Sequence, residues 1–69
     1  MNTSEIKAII ESLLFVAGTP VSLRRLAEVI GVAQIEVKPA LAQLLQEYAT
    51  PERGVRLVEV AGGYQFRTA

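Results

Sequence analysis

Val55-Arg56-Leu57-Val58-Glu59-Val60-Ala61-Gly62-Gly63-Tyr64-Gln65-Phe66-Arg67-Thr68 is the stretch that decides the fold. Two runs rich in β-branched and aromatic residues flank Ala61-Gly62-Gly63, and glycine takes positive φ without steric cost, so a β-hairpin is predicted. A three-residue loop pairs Val60 with Tyr64 and Val58 with Phe66. These four then share an apolar face, and Glu59 sits near Gln65. A two-residue loop shifts the register, and the sequence leaves that choice open.

Upstream of the hairpin the hydrophobic period is helical. Thr3 or Ser4 can cap a first helix running to about Ala17, with Gly18 in the left-handed position that ends it. Ile6, Ile9, Ile10, Leu13 and Ala17 have the spacing of one helix face. Thr19-Pro20-Val21 reads as a short extended piece, because proline disfavours helix in the residue before it. Ser22 then caps a second helix whose Leu23, Leu26, Val29 and Ile30 face inward, and Gly31 ends it. A third helix reads to about Ala49, with Val37, Leu41, Leu44, Leu45 and Tyr48 on one stripe. Starting it near Glu36 keeps Pro39 in the first turn, where the missing N–H has no intrahelical partner anyway.

Helix, short strand, helix, helix, hairpin is the order of a winged helix-turn-helix domain, an α+β fold that is mainly α. The 69 residues allow a single domain over positions 1–69. The chain stops at Ala69 directly after a strand, which is expected of the first domain of a longer protein.

Composition narrows the function. Seven Lys or Arg balance seven acids, all of them Glu, and there is no His, Cys or Trp. The usual transition-metal ligands and the common catalytic bases and thiols are therefore missing. No phosphate-binding glycine loop or nucleophile elbow occurs, so no catalytic, cofactor-binding or metal residues are assigned. No apolar run reaches the ~18 residues of a spanning helix, and MNTSEIKAII lacks the features of a secretory signal. A cytoplasmic protein without a membrane segment is expected.

A helix-turn-helix invites a DNA-binding reading, so the third helix is tested as a base reader. Opposite its apolar stripe lie Glu36, Pro39, Gln43, Gln46 and Glu47, with Lys38 and Ala42 at the edges. Two glutamines could bond adenine, but two glutamates repel phosphates and only one lysine is near. A solvated polar face is the better reading. Arg53, Arg56 and Arg67 in and before the wing could touch phosphates, yet ordinary exposed strand residues explain them at least as well.

The first helix carries the more informative signal. On a helical wheel Ile6, Ile9, Ile10, Leu13, Leu14, Val16 and Ala17 fill one broad arc, and Phe15 lies on the other side. Either Phe15 tucks beneath the hairpin or the Thr19–Val21 segment, or it belongs to a subunit interface, where aromatic residues are enriched. Both readings stand. Leu14 and Phe15 are the candidate dimer-interface residues.

Glu11-Ser12-Leu13-Leu14-Phe15-Val16-Ala17-Gly18-Thr19-Pro20-Val21 and Leu26-Ala27-Glu28-Val29-Ile30-Gly31 closely resemble the start of the bacterial segregation and condensation protein B family. Residues 53–68 resemble its wing hairpin. The resemblance implies the N-terminal one of two winged-helix domains, a homodimer formed through such domains, and no enzymatic activity. It further implies a kleisin partner, segregation and condensation protein A (ScpA), bound mostly through the second domain. Through the kleisin the complex reaches the structural-maintenance-of-chromosomes (SMC) ATPase and serves chromosome condensation and partition in cell division. The rival expectation is a winged-helix transcription regulator contacting DNA through Arg53, Arg56 and Arg67. A third is a fragment with a structural role only.

Overall fold

A computed structural model describes residues 1–69 and bears out the winged helix-turn-helix reading. Helix α1 spans Thr3–Ala17, α2 Leu23–Ile30 and α3 Gln34–Glu47; strands β1 (Val55–Val60) and β2 (Gly63–Thr68) form an antiparallel hairpin.

Local chemistry sets each helix boundary. Asn2, not Thr3 or Ser4, caps α1: its Oδ1 accepts the Glu5 N–H at 2.8 Å, and the Glu5 carboxylate accepts the Asn2 N–H at 3.0 Å. Only Asn2 places an acid three residues on, so only Asn2 closes this reciprocal pair. Gly18 at φ 69° and Gly31 at φ 84° end α1 and α2 as expected, and Ser22 caps α2 through the Arg25 N–H. Helix α3 starts two residues earlier than the position of Pro39 suggested. Glu36 explains this, since its carboxylate accepts the Ala33 N–H at 3.3 Å and so fixes Gln34 as the first helical residue. Pro39 thus lies inside the helix. The carbonyl it leaves unpaired is that of Ile35, on a residue 77% exposed and open to water.

The core is a layer of α1 on α3, closed by α2 and the hairpin. Ile6, Ile10 and Leu14 meet Val37, Ala40, Leu41, Leu44 and Tyr48, with Leu26, Ala27 and Leu57 completing the cluster. Val29, expected inward, is half exposed, and Ala27 takes its place. Val16, assigned to the apolar arc of α1, is 82% exposed.

The wing uses the two-residue loop. Val60 pairs with Gly63, Glu59 with Tyr64, Val58 with Gln65 and Leu57 with Phe66. Val58 and Val60 therefore lie on the face opposite Tyr64 and Phe66, contrary to the three-residue reading. Gly62 alone carries the positive φ, 87°, which leaves Gly63 free for another duty. A Cβ on Gly63 would lie 2.5 Å from the Val21 carbonyl carbon and 2.6 Å from its oxygen. That close approach lets Val21 and Tyr64 exchange two backbone hydrogen bonds of 2.9 Å each, adding the expected extended piece to the free edge of β2. Register follows this docking, not the turn.

Candidate protein-interaction site

Phe66 organises the functional surface. Its ring stacks on Phe15 at 4.3 Å between centroids with 20° between planes, and Tyr48 meets it edge-on at 4.9 Å. Phe15 is thus seated on the hairpin, as one of its two readings expects, and is still 53% exposed. Beside it stands Val16. Gln65, paired with Val58, donates from Nε2 to the Gly18 carbonyl at 3.0 Å. The outer wing face that carries Gln65 and Val58 is thereby tied to the end of α1. Leu14 is different. It is 2% exposed and packed into the core, so it has no side-chain surface to offer a partner. Helical geometry explains the correction, because Leu14 continues the Ile6–Ile10 stripe at intervals of four.

A polar cluster braces the aromatic group from beneath. The Tyr48 hydroxyl donates a short hydrogen bond to the Glu11 carboxylate, joining α3 to α1. That bond, then burial, raises the Tyr48 phenol above its ordinary value of 10.0. Burial, then Glu59, raises the Tyr64 phenol likewise. Phenols held protonated in the fold stabilise it fully below their unfolded value of about 10, and this contribution is lost as pH climbs through the folded values. The urea midpoint is expected to drop above pH 10, by less in Tyr48→Phe than in the parent. At neutral pH, Tyr48→Phe is expected to cost about 1.5–3 kcal/mol, the range for hydrogen bonds to charged groups. An unchanged midpoint would show that the Glu11 bond contributes nothing.

The wing brings together only two of its three arginines, Arg56 and Arg67. The Arg53 guanidinium lies over the Tyr48 ring at 4.7 Å. Arg56 donates to the Thr50 carbonyl at 2.8 Å, and Arg67 to the Gln65 side-chain oxygen at 3.1 Å. Register sets Arg56 directly opposite Arg67, but Arg53 belongs to the loop beneath. Each has an internal contact to a neutral group, and none is paired with a carboxylate.

Comparison with known proteins places the chain in a family. The family model described as segregation and condensation complex subunit ScpB matches residues 8–69. Segregation and condensation protein B of Syntrophotalea carbinolica is 52% identical over 68 residues, covering 99% of this chain and 34% of that protein. The Moorella thermoacetica protein is 46% identical over 66 residues, covering 96% and 34%. The chain thus spans about a third of the length of these curated relatives. Among solved structures, a dimer of the ScpB N-terminal domain complexed with ScpA peptide matches with a TM-score of 0.87 at 39% identity, covering 96% of this chain and 83% of that one. ScpB from Mycobacterium tuberculosis matches with 0.89 at 26% identity, covering 100% and 43%. Agreement in sequence over nearly the whole length, and in fold down to the wing, makes this chain a member of the ScpB family of segregation and condensation complex subunits.

Proposed function

We propose that this chain is the N-terminal winged-helix domain of a two-domain ScpB, and that it pairs with a second copy through Phe15 and Val16. In this reading it is a non-catalytic, cytoplasmic interaction module of a chromosome condensation and partition complex. It works beside the kleisin ScpA and, through ScpA, the SMC ATPase. One observation carries the proposal: a large aromatic residue, propped from below by Phe66, stands half exposed next to a valine that is almost fully exposed. Aromatic anchors of this kind supply most of the binding energy of interfaces. The relative crystallised as a dimer with ScpA peptide supports both proposed partners.

Sedimentation equilibrium tests it. The parent is expected to dimerise at micromolar concentration. Phe15→Glu is expected to weaken dimerisation at least tenfold, since interface anchors lose about 2 kcal/mol or more on truncation. The lost stacking is worth about 0.5–1.5 kcal/mol and half of the ring already faces water, so circular dichroism should stay unchanged. A parent that stays monomeric when concentrated would refute the proposal, and global unfolding of Phe15→Glu would place Phe15 with the core instead.

A further inference from the structure

Three cations of the chain are neutralised within the fold: Lys7 pairs with Glu47, and Arg24 and Arg25 with Glu28. Lys38 and the wing arginines make no ion pair. Of these, only Arg56 and Arg67 are direct neighbours in the hairpin ladder.

Side chains alternate across a strand, so Arg56, Val58 and Val60 share the outer wing face with their partners Arg67, Gln65 and Gly63. The hairpin's single carboxylate, Glu59, is on the inner face with Tyr64. The outer face therefore carries two positive charges and no negative one. Like charges directly opposite each other destabilise a strand pair, whose Cα atoms are only about 4.5–5.5 Å apart. Both heads are still held in place. Arg56 Nη1 donates to the Thr50 carbonyl at 2.8 Å. Arg67 Nε donates to Gln65 Oε1 at 3.1 Å, and Gln65 Nε2 donates in turn to the Gly18 carbonyl at 3.0 Å. Each bond fixes a guanidinium through one N–H and leaves the rest of its fork for an outside acceptor. Every partner is neutral, so neither charge is cancelled.

Two pre-set forks on one face suit phosphate oxygens, which a guanidinium grips in bidentate fashion. A carboxylate could fill one fork as well, but an acidic peptide also needs a concavity for its side chains. The one cavity of the molecule is lined by Tyr64, on the inner face. A charged backbone needs no pocket.

We propose that Arg56 and Arg67 form a sequence-independent contact with the phosphate backbone of duplex DNA on the outer face of the wing. The polyanion is identified by the reading above, in which the domain serves a chromosome-condensing complex. The contact goes further by giving this domain its own hold on the chromosome. Helix α3 takes no part, because Glu36 and Glu47 on its exposed side repel phosphates, so no base preference is expected.

Fluorescence anisotropy of the full-length protein with a labelled mixed-sequence duplex, titrated from low to physiological salt, tests the proposal. Arg56→Gln and Arg67→Gln are each expected to weaken low-salt binding about two- to fivefold, the strength of an exposed ion pair. Each should also flatten the log–log salt dependence by about 0.9, the share of one phosphate contact, and the double variant by about twice that. Arg24→Gln removes a cation that Glu28 already pairs and should leave the slope unchanged. Circular dichroism should be the same throughout; if one wing variant proved unfolded, the other would decide. A double variant with the parent's slope overturns the proposal, as does an equal loss in Arg24→Gln or a parent that binds no duplex at low salt. Labelled polyglutamate held through the same arginines as tightly as the duplex would also overturn it, giving the site to an acidic polypeptide. A monomeric parent that binds duplex with these losses would refute pairing through Phe15 and Val16 and support the wing contact.

Discussion

Gly63→Ala is expected to destabilise the domain by about 2–3 kcal/mol, the range for forcing extra atoms into a packed site. The neighbouring atoms are the Val21 carbonyl and the Ser22 N–H nitrogen, at 2.5–2.9 Å from the added carbon. These are backbone atoms and cannot rotate aside. Relief requires the Val21–Tyr64 bridge to open, which releases two backbone hydrogen bonds at once. For a chain of this size total stability is roughly 3–10 kcal/mol, so the loss is a large share of it. Each kcal/mol lowers the melting temperature by about 4–8 °C. Gly62→Ala is the internal control. Gly62 has the positive φ but nothing within 4 Å of an added carbon, so only the left-handed penalty of about 1–2 kcal/mol applies. Urea titrations in which Gly62→Ala proves costlier than Gly63→Ala would remove the docking argument.

Ile10→Ala is expected to cost about 2–5 kcal/mol, the range for truncating a fully buried aliphatic residue. Ile10 has no exposed surface and sits mid-helix in the α1 layer of the core, between Ile6 and Leu14. Ile9, one position away and half-buried, should lose clearly less when truncated. Equal losses at the two positions, read from urea midpoints, would contradict the observed facing of α1.

Most of the architecture was legible in the sequence because local rules dictated it. The glycines at 18 and 31, the Ser22 cap and the switch from helical to alternating period all act within a few residues. What escaped depends on distant partners. The wing register stayed open because Gly63 looked like a turn residue, and its actual constraint comes from Val21, far back in the chain. Leu14 was assigned to the interface because a wheel shows an arc without showing which part of it meets α3. Pro39 drew the start of α3 too late, since proline's weight outranked the reciprocal bonding that Glu36 provides to Ala33. Phe15 was recognised as anomalous from its position on the wheel. A seat on the hairpin was one of its readings, but the choice of Phe66 as the supporting residue was not legible, because stacking joins residues 51 positions apart, 66 less 15.

The Val21–Tyr64 bridge has a consequence for biosynthesis. Its two halves are 43 residues apart (64 less 21), so at about 5–20 residues per second a translating ribosome delivers them roughly 2–9 seconds apart. Through that interval the nascent helices lack Phe66, and Phe15 has no platform to stand on. The stack of Phe15 on Phe66 can therefore form only after translation has passed the wing, so the exposed ring acquires its fixed pose last.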